Sequence, residues 1–536
     1  MATVRVEGLH GLPYLAAFTL VLAVACAEMQ SPVVLLRPEP DTESDVRAAV
    51  PPAPPIPPTP PPTRPSNQCW ITPDVDGHVD IPANTTAIPP HAFYGCRHLV
   101  SVSVPETVAT FGGGCFAFCG NLTSVKFPAA VTNLTFGNEM FEGAVKLTTL
   151  RVPAGVTTLP EGFCLHCDAL TDLQLPEGLV ELGDSAFWWC ISLRKVILPT
   201  TVRVLGTQVF GQCGVLTEVV LPTALESIGA WAFYFSAIKS LILPPTVTSF
   251  GPYVCANCAN LTEVSLPDTI VDVPKYAFNS CGALHRVTLG RYTRSLGDSA
   301  FFGTHALRTL DIPETVTYFG QSWFGTGITS LDIKNKNVTI AYNAFSETDL
   351  IDVTIAGDAY ISTQAFQKCA QLQTVTIKGS AAIGQEAFSG CPRFESITIG
   401  GTLERIEKLA FEACVRLREI TIPRGLTTIS EGAFFGCLSL QKVVIPPSVT
   451  VIGEGAFSGC PALNNVDLPA NVTSVMAFAF TLCPSLRNFR MQQGVVVDPL
   501  AFRISGCSAD AYSPGGTLCN CATAASWPCT AHVQVT

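Results

Sequence analysis

"EGAFFGCLSLQKVVIP", residues 431–446, and "EGAFSGCPALNNVDLP", residues 454–469, are one phrase written twice, 23 residues apart. A phrase repeated at a fixed interval is architectural, so further copies have to be found before anything else is read. With the Phe of "A-F-x-x-C-x-x-L" as marker, 19 copies run from Phe93 to Phe502, mostly 23 residues apart and otherwise 21 to 25. Cys164 and Cys255 stand in for the marker in the fourth and eighth copies, and Phe324 marks the eleventh.

Each part of the unit has its own physical task. In "LRKVILP" (Leu193–Pro199), Leu193, Val196 and Leu198 point inward, the last two at the period-2 spacing of a strand. Pro199 ends that strand, because it has no N–H to donate to the next ladder bond. "VTVIG" (Val449–Gly453) reads as a short extended return, and "EGAFSGC" as one tight helical turn with Phe457 and Cys460 facing inward. No unit can bury its own apolar face, so neighbours must stack into a repeat solenoid, mainly parallel β with one short helical turn per repeat. Between Phe301 and Phe366 the slot cysteine is missing and the spacing shortens to 21, which predicts a change of curvature splitting two regular runs.

This pattern resembles the BspA-type leucine-rich repeat surface protein family over about residues 79–502. The resemblance implies a curved solenoid with a parallel sheet on its concave side, and a surface or secreted protein that binds other proteins or host matrix.

Of the 22 cysteines, 13 fall in the third slot after the marker, where other copies carry Ala144, Ser236, Thr304 or Thr348. The shared property is small size, and a buried Cys behaves as a small hydrophobe. Stacked Cβ atoms about 4.8 Å apart exceed the roughly 3.8 Å that a bridge prefers, so these thiols are expected to be free. In "CLHC" (Cys164–Cys167) and "CANC" (Cys255–Cys258) the first Cys occupies the marker slot, which makes both pairs core residues, with a local disulfide as the alternative. Cys507, Cys519, Cys521 and Cys529 crowd into a Gly/Ser/Pro-rich tail and read as a disulfide-braced cap over residues 503–536. Cys69 and Cys115 are candidates to brace the other end.

Residues 1–27 read as a signal peptide, with an early Arg5, the apolar run Pro13–Ala27 and small-residue cleavage sites. An uncleaved N-terminal anchor, the alternative, would be the only attachment to a membrane. Residues 28–68 form a Pro-rich stalk or linker, extended where proline is densest. The solenoid takes residues 69–502. Asn84, Asn121, Asn133, Asn260, Asn337 and Asn471 are candidate glycosylation sites in N-x-S/T sequons. These features predict a protein that is secreted or held at the cell surface.

The net charge of −11, with no long runs of Lys or Arg, argues against nucleic acid as a partner. The eight histidines form no H-E-x-x-H pair, there is no Walker loop or G-x-S-x-G elbow, and no cofactor, metal site or enzymatic activity is expected. "DVDGHVD" (Asp74–Asp80) resembles a fragment of a calcium loop without the later ligands, and reads as a turn into a first strand at Val79–Ile81.

Binding is the better expectation. The outward strand column is mostly small and polar, but it carries three consecutive apolar members, Ile197, Val220 and Ile242, flanked by charged side chains. The same copies place Trp188, Trp189, Trp231, Tyr234 and Phe235 in the turn, on a second surface. Cross-strand stacking and packing over a wider turn are the respective alternatives. The sequence thus predicts a non-catalytic binding or adhesion protein for an extracellular protein or glycan, or alternatively a structural cell-coat protein that associates with itself.

Overall fold

The computed structural model describes residues 69–128, 134–492, 494–503 and 505. The signal-peptide, stalk and cap readings, with Cys507, Cys519, Cys521, Cys529 and Asn133, lie outside these residues. No helix among the described residues is long and apolar enough to cross a membrane.

The chain winds as a parallel β-solenoid. A representative coil contributes a three-residue strand, Lys195–Ile197, and a two-residue strand, Val204–Leu205. Each pairs in parallel and in register with the next coil, Lys195 opposite Glu218 and Val204 opposite Ser227. The first strand is His78–Asp80, one residue earlier than the sequence suggests, because the Asp74 carboxylate accepts the backbone N–H groups of Asp76 and His78 and closes the turn there.

The expected helical turn is absent: "EGAFSGC" is a succession of turns, and no helix occurs among the described residues. The reason lies in where its amides go. Gly455, Phe457 and Gly459 donate to the carbonyls of Ala477, Ala479 and Thr481 in the next coil, while Ala456 and Ser458 close turns onto Gly453 and Gly455. A helix would keep all of these bonds internal. The alternation also needs residues in the left-handed region, Gly455 at φ 57° and Gly459 at φ 70° here. Gly453 serves a different purpose. A Cβ on it would lie 2.6 Å from the Ile429 carbonyl, so its lack of a side chain is what lets adjacent coils approach.

Two compact units divide between Val338 and Thr339, inside the stretch where the repeat weakens. In the second unit, the marker phenylalanines Phe366, Phe388, Phe411, Phe434, Phe457, Phe480 and Phe502 stack ring on ring, with centroids 5.2–5.4 Å apart. In the first unit the column is interrupted. At the Cys164 coil, Phe163 and Phe136 fill the space, stacking on each other at 5.3 Å. At the Cys255 coil, Phe250 leans toward Phe278 at 6.3 Å. The eleventh marker also moves: Trp323 is buried in the slot and meets Phe301 at 5.0 Å, whereas Phe324 is 38% exposed. The slot takes Trp instead of Phe in this coil, with an adjacent Phe that disguises the exchange, and Trp323 is the residue three before the small Thr326.

Candidate functional site

The slot cysteines are built into the backbone. Cys460 donates its S–H to the Phe434 carbonyl at 3.2 Å, and Cys437 and Cys483 repeat the bond to Phe411 and Phe457. Small size is therefore only half the specification, since the thiol also satisfies a buried carbonyl of the preceding coil. Burial pushes the thiols of Cys437 and Cys483 up to about 12, so thiolate chemistry is suppressed.

Two bridges correct the expectation of free thiols at Cys96 and Cys167, while the other eleven slot cysteines are free as expected. Cys164 and Cys167 are joined, with Cα atoms 5.5 Å apart, because the marker and third-slot side chains of a single coil both turn inward across one turn. Cys69 is bonded to Cys96, with Cα atoms 5.4 Å apart, and so pins the chain before the first coil to that coil's slot. Cys115 does not take part; it is free and buried. Cys255 and Cys258 are free thiols in this structure.

On the face of the three-residue strands, Ile197 and Ile242 are each 60% exposed and Val220 is 43% exposed. Ile197 sits directly opposite Val220. Ile242 belongs to a different ladder, opposite Ser265, so the three do not form one uninterrupted strip. The cause is a coil one residue short, with Ser236 to Ile238 standing where Cys213 to Leu216 stands in its neighbour. Beside the Ile197–Val220 pair, Lys195 and Glu218 form an ion pair at 2.8 Å.

The turn aromatics divide in two. Trp188 and Tyr234 are buried, which corrects their placing as exposed anchors: their rings lie parallel at 6.4 Å and pack with Leu165, Tyr253 and Ala256. Gly211 makes the room, since a Cβ there would come within 2.0 Å of the Trp188 ring. Trp231 is half-buried on Tyr253 at 5.0 Å, and Tyr253 in turn stacks on Tyr276 at 4.4 Å. Only Trp189 and Phe235 of the five are exposed, Trp189 resting on His166 and Phe235 edge-on to Tyr234. The sequence reading missed Tyr253, Tyr276 and His166. The signal was their column, because they fill the left-handed turn positions that other copies give to Gly, as do Trp189 (φ 63°), Trp231 (φ 53°) and Phe235 (φ 54°).

Among the described residues, no cluster of three or more His, Cys, Asp or Glu is arranged to hold a metal ion. Asn84, Asn260, Asn337 and Asn471 are exposed, although the Asn471 amide donates to the Pro447 carbonyl. Asn121 is half-buried, donating to the Arg97 carbonyl and accepting from Lys146.

Comparison with known families places this geometry. The model of the BspA type leucine-rich repeat region matches residues 77–162, 134–262, 248–373 and 381–507. The chain belongs to that family. Solved structures similar to this BspA-type protein include a leucine-rich repeat protein from Bacteroides ovatus, 23% identical, covering 78% of this chain and 92% of its own, with a TM-score of 0.46. A leucine-rich cell surface protein from Faecalibacterium prausnitzii is 22% identical and covers 73% of this chain and 86% of its own, with a TM-score of 0.28. A leucine-rich repeat protein of T. pallidum is 23% identical over 43% of this chain and 78% of its own, with a TM-score of 0.22. None of the curated proteins matches the chain. Stacked repeats of this kind present an extended surface suited to protein interaction.

Proposed function

We propose that this BspA-type protein is a non-catalytic binding protein, secreted or displayed at the cell surface, whose strand face engages an extracellular protein or glycan. The observation that carries the reading is the Ile197–Val220 pair. Two aliphatic side chains stand exposed and directly opposite each other, beside an ion pair, in a column that is polar before them at Gln174 and turns polar again at Ser265, beyond Ile242. Exposed apolar groups rimmed by charge favour a partner that excludes water from them.

The test is an Ile197→Asp/Val220→Asp variant of the full chain, compared with wild type on an array of purified extracellular matrix proteins and glycans and by sedimentation. Both positions point to solvent, so the fold is expected to survive, as checked by thermal melting. Loss of array binding supports the proposal. Loss of self-association instead identifies a coat-forming component, and an unchanged result in both measurements rejects the strand face as the contact surface.

A further inference from the structure

The first coils carry a second feature on the strand face that the apolar pair does not explain. A cavity of about 730 Å³ is lined by His78, Ser101, Ser103, Ser124, Lys126 and Arg151, within the size range of small-ligand sites. The strand register assembles it: His78 lies opposite Ser101 and Ser101 opposite Ser124, while Asp80, Ser103 and Lys126 form the parallel row. The imidazole ties the rows together, with Nδ1 2.7 Å from Ser101 Oγ and Nε2 3.1 Å from Ser103 Oγ and 3.2 Å from Asp80 Oδ1.

The two cations are the anomaly. Elsewhere on this face of the same unit, Lys195 pairs with Glu218, and Arg286 with Glu263, each on the adjacent strand at the same height. Lys126 and Arg151 have no carboxylate partner among the described residues, and Arg151 bonds only to the neutral Gln174. Two like charges facing one cavity in a chain of net charge −11 are unfavourable as they stand, and an anion between them removes the conflict.

We propose that this cavity binds a saccharide carrying one acidic group, sulfate or carboxylate, per site. Lys126 and Arg151 hold the acid, and the serine hydroxyls, two of them oriented by His78, hydrogen-bond the sugar hydroxyls. An extended acidic peptide fits less well. The cations end at Arg151, Asp80 stands at one margin, and Asp172 lies on the strand next to Arg151. The site is separate from Ile197 and Val220, so this proposal and the reading above fail independently.

The test is calorimetric titration of the full chain at low salt with four probes: a chondroitin sulfate tetrasaccharide, a hyaluronan tetrasaccharide carrying only carboxylates, neutral chitotetraose, and hexaglutamate. One or both acidic saccharides bind, and which of them does names the acid. Lys126→Gln and Arg151→Gln each weaken binding about tenfold, Ser103→Ala about threefold, and Arg286→Gln, on the same face but away from both sites, leaves it unchanged. Added salt weakens it further. The proposal is overturned if neither acidic saccharide binds, if chitotetraose or hexaglutamate binds as tightly, or if the Lys126→Gln/Arg151→Gln double variant still binds as wild type.

Discussion

From Phe366 to Phe502 every marker ring stacks on the next, whereas between Phe141 and Phe278 the same column is broken twice, by Cys164 and Cys255. Both regions solve one problem, filling the centre of a coil that cannot bury its own apolar face. The regular region does so with one residue type in one slot. The interrupted region borrows volume from other positions, Phe136 and Phe163 at one break and Phe250 at the other. It is also in the interrupted region that aromatics take over the turn columns, burying Trp188, Tyr234 and Tyr253 as a second small core. A slot in this fold is therefore a volume to be filled rather than a residue to be matched, and freedom in the filling is greatest where the outer surface is most elaborate.

Four measurements would break or sharpen that contrast. Phe434→Ala, in the unbroken column, should cost about 4 kcal/mol, read by denaturant unfolding, because it strips ring contacts on two sides and leaves a cavity. Restoring the consensus at a break should also destabilise: Cys255→Phe is expected to lose about 2 kcal/mol, since Phe250 already leans into the space. A gain in stability there would show that the breaks are true defects.

Cys460→Ala should cost roughly 1–2 kcal/mol, from a small cavity and the loss of one of the two hydrogen bonds to the Phe434 carbonyl, and leave binding unchanged.

The smallest effect depends on pH. Burial, with Glu139 adding to it, pushes the Glu142 carboxyl up to about 7. Its folded value lies above the unfolded one, so the native state holds the extra proton, and stability is retained at low pH and lost as pH rises from about 4.5 to 7. Thermal melts of Glu142→Gln should lose part of that slope, with a gain of about 1 kcal/mol at pH 8.

Much of this was legible in the chain itself. The strand at Lys195–Ile197, the inward Phe457 and Cys460 and the family all follow from a pattern in which every element recurs in register. The helical turn was not legible, because its sequence is compatible with local i→i+3 bonds and only the next coil offers the carbonyls that claim alternate amides. The candidate surfaces were half legible. Spacing placed Ile197 and Val220 side by side, but the one-residue deletion before Ile242, visible in the sequence, acquires meaning only when ladders are paired.

What the sequence determined alone is whatever repeats: the period, the inward slots and the solenoid, since a periodic hydrophobic pattern has one economical way to leave water. What the tertiary structure decided is whatever depends on the coil next door. Trp188 is buried because Gly211, one coil on, leaves room for it. Cys164 and Cys167 are bridged because one turn brings them within reach, while stacked thiols bond to carbonyls instead. Lys126 and Arg151 stand without an acid because the residues opposite them at the same height, Ser103 and Gln174, are neutral.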